Sequence, residues 1–200
     1  MTGKGSVAGR LDEGVLAAAQ CGDGDAFAVI WRELSPVVAG YVTARGVSDP
    51  DSVTSDVFLA LLPKLRDLTG GVAGLRTFVF SVAHARVVDD ARQRTRRPAV
   101  IEFDPRSHAG VAASAEQDAL ARIGSEGILE LLAGLRPDHR DVLALRVAAD
   151  LDLEQTARVM GRSVGSVKQL QRRALIALRA QLEQAGGVTG AAIDSITRLS

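Results

Sequence analysis

The residues best suited to chemistry are basic and amide side chains that recur near the carboxyl end of the chain. Over 158–179, Lys and Arg occur six times with no Asp or Glu among them. Glutamine can hydrogen-bond base edges in the major groove, and arginine can reach phosphates or guanine. This chemistry is recognition of DNA. The side chains that lie off the apolar stripe here are Ser166, Lys168, Gln169, Arg172, Arg173 and Arg179.

Two amphipathic helices are predicted to carry these side chains, because apolar residues over 151–182 recur at steps of three or four. Between the helices, Gly161 can adopt a left-handed conformation and Ser163 can cap the helix that follows. So short a turn between two helices predicts a helix-turn-helix. The alternative is an ordinary αα-hairpin with a solvated basic face, since isolated motifs of this kind are often false positives.

Other kinds of chemistry find little support in the sequence. His84, His108 and His139 are scattered, Cys21 has no evident partner, and no phosphate loop or metal-ligand spacing occurs. We therefore predict a protein that is not an enzyme and that has no metal and no cofactor. The formal net charge of zero argues against a nonspecific nucleic-acid coat, so that any affinity for DNA must come from local patches.

The predicted location is the cytoplasm. A single cysteine cannot form an internal disulfide, which suits a reducing compartment. The opening MTGKGSVAGR is polar, and no apolar run is long enough to cross a bilayer, so we expect no membrane insertion.

The amino-terminal half is predicted to be helical as well. An apolar stripe from Phe27 to Val42 indicates a helix with a kink or fresh start at Pro36, and with Trp31 and Tyr41 as core residues. A third helix should begin near Asp49, with a break or distortion at Pro63. A long helix is expected over about 75–94.

A glycine loop and a basic tip flank this long helix. Gly70, Gly71 and Gly74 predict a flexible loop, 67–74, whose backbone can approach a ligand closely. The far end carries arginines that suit a helix carboxyl terminus and also phosphate binding: Arg92, Arg94, Arg96 and Arg97.

The predicted fold class is all-α, with two small helical domains joined by a flexible linker. Pro98, Pro105 and Gly110, in a stretch without a sustained stripe, mark that linker. The predicted divisions are 1–22 for a tail and short helix, 23–97 for the first domain, 98–124 for the linker, 125–184 for the helix-turn-helix domain and 185–200 for a tail.

In this order, the parts resemble the extracytoplasmic-function (ECF) sigma factors, the compact members of the sigma-70 family. LLAGLRPDHRDVLALRVAADLDLEQTARVMGRSVGSVKQLQRRALIAL resembles region 4 of that family. DAFAVIWRELSPVVAGYV resembles region 2.1, DPDSVTSDVFLALLPKL resembles region 2.2, and LRTFVFSVAHARVVDDARQRTRR resembles regions 2.3 and 2.4.

The resemblance implies a promoter-specificity subunit of bacterial RNA polymerase. The partners implied are core RNA polymerase, promoter DNA and an anti-sigma factor. Region 4 would read the minus-thirty-five element through Ser163, Gly165, Ser166, Lys168, Gln169, Arg172 and Arg173. Region 2 would hold the melted minus-ten element through Gly70, Gly71, Phe78, Asp89, Arg92, Arg96 and Arg97. The polymerase contact would be formed by Asp56, Val57, Phe58 and Leu61.

Two other classes of protein stay open at this point. A stand-alone regulator would use the helix-turn-helix by itself and would need a dimer to read paired half-sites. A helical interaction protein would bind another protein without DNA, and neutralising Arg172 and Arg173 would then change nothing.

Overall fold

The computed structural model describes residues 10–96 and 134–184. Within these ranges the chain is helical and contains no strand, which confirms the predicted all-α class. The predicted linker, the first helix of the second domain and both predicted tails fall largely or wholly outside the described residues. The elements are α1 (Glu13–Gln20), α2 (Gly24–Ala44), α3 (Pro50–Leu65), α4 (Gly71–Arg96), α5 (Pro137–Leu143), a π-helical turn (Ala144–Ala148), α6 (Leu153–Met160) and α7 (Val164–Gln184).

Aspartates begin four of these helices. The carboxylates of Asp12, Asp23 and Asp49 accept hydrogen bonds from backbone N–H groups in the first turns of α1, α2 and α3. Asp152 and Gln155 form a reciprocal capping box at the start of α6. Such caps satisfy N–H groups that have no partner inside the helix, which is why the helices begin where they do.

The fresh start predicted at Pro36 is wrong, because α2 continues through the proline as one helix. A proline costs a helix one backbone hydrogen bond, but tertiary packing can offset that loss. Here the helix is held against the core on both sides of the proline by Val29, Ile30, Leu34, Val38 and Val42. Pro63 likewise lies inside α3, and α4 begins at Gly71, one turn earlier than predicted.

The first four helices share one apolar core. Phe58 of α3 and Phe80 of α4 are buried there together with Ile30 of α2. Val15 and Leu16 of α1 are buried in the same cluster, so the short first helix packs as part of this amino-terminal unit.

The carboxyl-terminal unit is built on the helix-turn-helix. Val142, Leu145, Val167 and Ala174 are buried between α5, the π-helical turn and α7. Sequence periodicity gave no sign of the π-helical turn. Arg146 within it donates a hydrogen bond to the carbonyl oxygen of Leu151, and this contact ties the turn to the entry of α6.

The two units are packed against each other, an arrangement we call closed. Helix α6 lies on α4, and the side-chain amide of Gln155 donates to the carbonyl oxygen of Ala73 at 3.0 Å. Arg76 donates to the carbonyl oxygen of Ala149 at 3.2 Å. Region 4-like residues therefore touch the first two turns of α4.

No helix in the described ranges combines the length and the apolar character needed to cross a membrane.

Candidate nucleic-acid interface

The turn between α6 and α7 has the predicted geometry. Gly161 adopts a left-handed conformation with φ 61° and ψ 36°. The hydroxyl oxygen of Ser163 accepts a hydrogen bond from the backbone N–H of Ser166 at 3.2 Å, as a helix cap does. These contacts confirm the helix-turn-helix and fix the direction of α7.

The seven residues predicted to read the minus-thirty-five element are all exposed, and they lie in the turn and on α7. They are Ser163, Gly165, Ser166, Lys168, Gln169, Arg172 and Arg173. The opposite side of the helix is buried through Val167, Ala174 and Leu178. In the described part of the chain, Lys168, Arg172 and Arg173 form no ion pair, whereas Arg162 pairs with Asp138 at 2.6 Å. We call this exposed set the recognition face.

Two residues of α7 depart from a simple apolar stripe. Val164 has the apolar spacing of the stripe but is 42% exposed. Gln171 is buried, and its side-chain oxygen accepts a hydrogen bond from Nε of Arg146 at 3.1 Å. The spacing could have revealed this, because Gln171 lies four residues after Val167 and three before Ala174, on the buried side.

Gly70, at the end of the loop, and Gly71 and Gly74, in the first turn of α4, are required by the backbone conformation, which is a different reason from the flexibility predicted for 67–74. Gly70 and Gly71 have φ of 86° and 62°, a region that favours glycine. A Cβ on Gly74 would lie 2.1 Å from the carbonyl oxygen of Thr69. The N–H of Gly74 also donates to the carbonyl oxygen of Gly70 at 2.9 Å, which closes the first turn of α4.

The residues predicted to hold the minus-ten element lie along α4. Phe78 is half-buried near its start, while Asp89 and Arg92 are exposed near its end and pair with each other at 3.5 Å. The rise of an α-helix places Gly71 and Arg92 about 30 Å apart, so these residues form a row and not one cluster. The side chain of Arg96, and Arg97 entirely, lie outside what the structure describes.

One arginine of the basic tip has a structural partner. Arg94 donates to the carbonyl oxygen of Gly46 at 2.6 Å and pairs with Asp90 at 2.9 Å. It thereby satisfies the carboxyl end of α2, which leaves it less available for phosphate.

Three of the four residues predicted to contact polymerase are in the core. Val57 and Leu61 are fully buried, and Phe58 is 2% exposed. Only Asp56 of that set is accessible, and it lies 4.0 Å from Arg86. The outer surface of α3 instead presents Leu59, 63% exposed, and Leu62, 50% exposed. The partly exposed Trp31 packs against Phe58, with ring centroids 4.5 Å apart and an interplanar angle of 55°.

A polar cluster lies between the two units and was not predicted. Asp141 of α5 is buried, pairs with Nε of Arg45 at 2.8 Å and accepts a hydrogen bond from the hydroxyl of Tyr41 at 3.1 Å. Nδ1 of His84 lies 2.7 Å from the same hydroxyl. Because Tyr41 donates its proton to Asp141, it accepts one from His84, which therefore carries its proton on Nδ1. We call these four residues the inter-unit cluster.

Burial changes the proton affinities within this cluster. Loss of water raises the pKa of Asp141 above its usual range, although Arg45 and His84 act to lower it. Burial also lowers the pKa of His84 and raises that of Tyr41. His84 and Tyr41 are therefore held neutral in the closed arrangement.

A metal site is not formed among the residues the structure describes, where no group of three or more His, Cys, Asp or Glu side chains is arranged to hold an ion.

Comparison with known proteins defines the class first. Residues 131–180 match the family model described as Sigma-70, region 4, which covers the helix-turn-helix and the recognition face. CnrH, solved in complex with the cytosolic domain of CnrY, shares the fold, with a TM-score of 0.57, 22% identity and coverage of 88% of this chain and 99% of CnrH.

Relatives similar along most of the chain then define the family. The ECF RNA polymerase sigma factor SigD of Mycobacterium tuberculosis is 30% identical over 184 residues, covering 88% of this chain and 86% of SigD. BldN of Streptomyces coelicolor, another ECF RNA polymerase sigma factor, is 28% identical over 163 residues, and the match spans 62% of BldN. The chain belongs to the family of ECF RNA polymerase sigma factors.

Proposed function

We propose that this chain binds core RNA polymerase and directs initiation at particular promoters, its region 4 reading the minus-thirty-five element and its region 2 holding the melted minus-ten element. The recognition face carries this proposal most directly. Three basic side chains and two amides or hydroxyls are exposed together on a rigid helix, within the segment that matches Sigma-70, region 4. The chain supplies specificity, and polymerase supplies the chemistry.

Reading of the minus-thirty-five duplex falls to α7. The amino-terminal end of a recognition helix approaches base edges, and there Ser166 and Gln169 can exchange hydrogen bonds with bases. Arg172 and Arg173 follow one turn later, where they can contact phosphates and fix the register. The buried side of α7 keeps the helix rigid while its exposed side enters the groove.

Capture of the minus-ten strand falls to the start of α4 and the loop before it. Gly70 and Gly71 expose backbone, and the half-buried Phe78 offers an aromatic surface for an unstacked base. Arg92 is exposed farther along the helix and can hold the strand's phosphates.

The polymerase contact falls to the outer surface of α3. Leu59, Leu62 and Asp56 are accessible there, and Trp31 is close by through its contact with Phe58. Large exposed apolar side chains grouped on one helix are typical of a protein interface. We therefore move the proposed contact from the buried Val57, Phe58 and Leu61 to this surface.

An anti-sigma factor is the remaining proposed partner. CnrH was solved with the cytosolic domain of CnrY, and a similar fold supports a protein partner for this chain. We expect the chain to act in the cytoplasm, where polymerase transcribes.

The experiment that tests the function is capture of the purified chain by bacterial core RNA polymerase, followed by run-off transcription on genomic fragments. We expect binding and initiation at a small set of promoters that share a minus-thirty-five and a minus-ten motif. DNA binding by a dimer without polymerase would support a stand-alone regulator instead. Polymerase binding without promoter-selective initiation would support an interaction protein.

A further inference from the structure

Helix α1 touches the glycine loop at its far end. Oε1 of Glu13 accepts a hydrogen bond from the backbone N–H of Val72 at 2.9 Å. The carboxylate lies so close to Gly71 that a Cβ there would be 2.5 Å from Oε1. A negative charge at the start of a helix is favoured by the helix dipole, so Glu13 fixes the first turn of α4.

The same helix touches the near end of the loop. The side-chain amide of Gln20 donates to the carbonyl oxygen of Leu65 at 3.1 Å and to that of Leu68 at 2.8 Å. Leu65 is the last residue of α3, and beyond the helix its carbonyl oxygen also accepts a hydrogen bond from the backbone N–H of Leu68 at 3.3 Å. One side chain therefore ties the end of α3 to the first residues of the loop.

Both contacts are made from α1, which is itself held in place. Asp12 caps α1, and Val15, Leu16 and Ala19 are buried in the core of the amino-terminal unit. Glu13 and Gln20 lie at opposite ends of this short helix. Helix α1 therefore contacts the loop at both of the loop's ends, and the length of α1 sets the distance between those ends.

We propose that Glu13 and Gln20 are positioning residues that set the shape of the loop before α4 and so determine how strictly the chain discriminates among minus-ten sequences. The inference rests on the proposed function, because it assumes that this loop meets the melted strand. Discrimination among bases depends on small displacements of the groups that contact them. A loop released at both ends would still bind the strand but would accept more sequences.

The chemistry of the two side chains separates this role from a merely structural one. Glu13→Gln keeps an oxygen that can accept from Val72, whereas Glu13→Ala removes it. Gln20→Glu keeps the size of the side chain but loses both N–H groups that donate to the carbonyls of Leu65 and Leu68. The conservative change at Glu13 should therefore rescue, and the isosteric change at Gln20 should not.

The test uses holoenzyme assembled from core polymerase and the full chain. Run-off transcription is measured on promoters that carry each single substitution in the minus-ten element and, separately, in the minus-thirty-five element. We expect Glu13→Ala with Gln20→Glu to reduce discrimination at one or more minus-ten positions by about tenfold, the size of a single base readout. Discrimination at minus-thirty-five should be unchanged. Glu33→Ala, an exposed glutamate on α2, is the matched control.

Hydrogen exchange of the same proteins measures the loop directly. The double variant should exchange the amides of 66–74 faster, while those of α2 and α7 keep their rates, and Glu13→Gln should resemble the unchanged protein. Unaltered minus-ten discrimination would overturn the inference, as would an equal loss at both promoter elements. If the unchanged holoenzyme shows no minus-ten discrimination, the proposed function fails and this inference with it, a result that is visible before any variant is made.

Discussion

Gly74 shows how a single missing methyl group determines the local structure. Where the loop enters α4, the carbonyl oxygen of Thr69 occupies the space that a side chain on residue 74 would need. Gly24, at the start of α2, faces open space instead. The two glycines therefore differ in what they contribute, although the sequence alone makes them look alike.

Replacing Gly74 by alanine should destabilise the amino-terminal unit. The new Cβ meets backbone, which can yield only by distorting the loop, and overpacking of this kind costs about 1–3 kcal/mol of the free energy of unfolding. Gly24→Ala is the control and should change that free energy by less than about 1 kcal/mol. Urea unfolding followed by circular dichroism measures both, and equal stability of the two variants would contradict the close approach.

The two sides of helix α7 have different roles. Its buried side carries Val167, Ala174 and the hydrogen-bonded Gln171, and its exposed side is the recognition face. Changes on the exposed side can therefore alter DNA binding without unfolding the domain.

Replacing Arg172 and Arg173 together by alanine should weaken binding to minus-thirty-five duplex DNA. If each arginine neutralises one phosphate, the slope of log affinity against log salt falls by about two units. Arg32→Ala with Lys64→Ala removes the same charge from exposed positions in the amino-terminal unit and should leave the slope unchanged. Titration of a labelled duplex at several salt concentrations gives the slope, and capture by core polymerase should be equal for both double variants.

Helix α3 likewise separates its surface from its core. Leu59→Ser with Leu62→Ser should weaken polymerase binding and leave the melting temperature nearly unchanged, because both side chains already face water. Val57→Ala should do the reverse, since it removes buried methyl groups and leaves the surface intact. Affinity for core polymerase and thermal unfolding are measured on both proteins. Full affinity of the serine variant would place the contact elsewhere.

Local signals explain what the sequence predicted at this scale. Asp49 and Pro50 mark the start of α3, and Gly161 marks the turn into α7, because caps and turns are determined by a few neighbouring residues. The exposed side of α7 was also predictable locally, because the spacing of its polar and apolar residues is visible in the sequence.

Contacts between distant residues explain what the sequence did not predict. The continuity of α2 through Pro36 depends on the core around it, and the burial of Val57 depends on which side of α3 meets α2 and α4. The hydrogen bond from Tyr41 to Asp141 joins residues 100 positions apart. No periodicity or motif carries such information.

The closed arrangement of the two described units has a geometric consequence for the proposed function. The two promoter elements are about 25 base pairs apart, which is roughly 85 Å of duplex at 3.4 Å per step. A compact chain of this length has a radius of gyration of only about 16 Å. The units must therefore separate before one chain can reach both elements.

Acid should promote this separation through the inter-unit cluster. Burial lowers the pKa of His84 in the closed arrangement, so the contact is strongest above the usual histidine value of about 6.5 and is lost as the pH falls through the lowered value. Asp141 acts with the opposite sign, because burial raises its pKa: its protonation favours closure as the pH falls through the raised value, and this contribution is complete below the usual value near 3.8. The charged or titratable groups that face His84 are Tyr41, Arg45, Asp138, Asp141 and Arg162.

The distance between the units can be measured by fluorescence energy transfer from Cys21, the single cysteine, to a label on Ser166→Cys. We expect the distance to increase as the pH falls from about 7.5 to below 6.5. His84→Gln should remove that increase, and His139→Gln should retain it. A distance that does not change over this range would show that the cluster does not govern opening.

The closed arrangement also gives the proposed recognition an order in time. Gln155 and Arg76 hold region 4 against the first turns of α4, yet the recognition face on α7 stays open to solvent. The proposed duplex reading needs no rearrangement, whereas the proposed strand capture takes place beside the contacts of Gln155 and Arg76 and is expected to be complete only when the units part. During a search along DNA, the strand-capturing surface would then be partly covered. It would be uncovered only after the chain has stopped at a site where polymerase holds the two units apart.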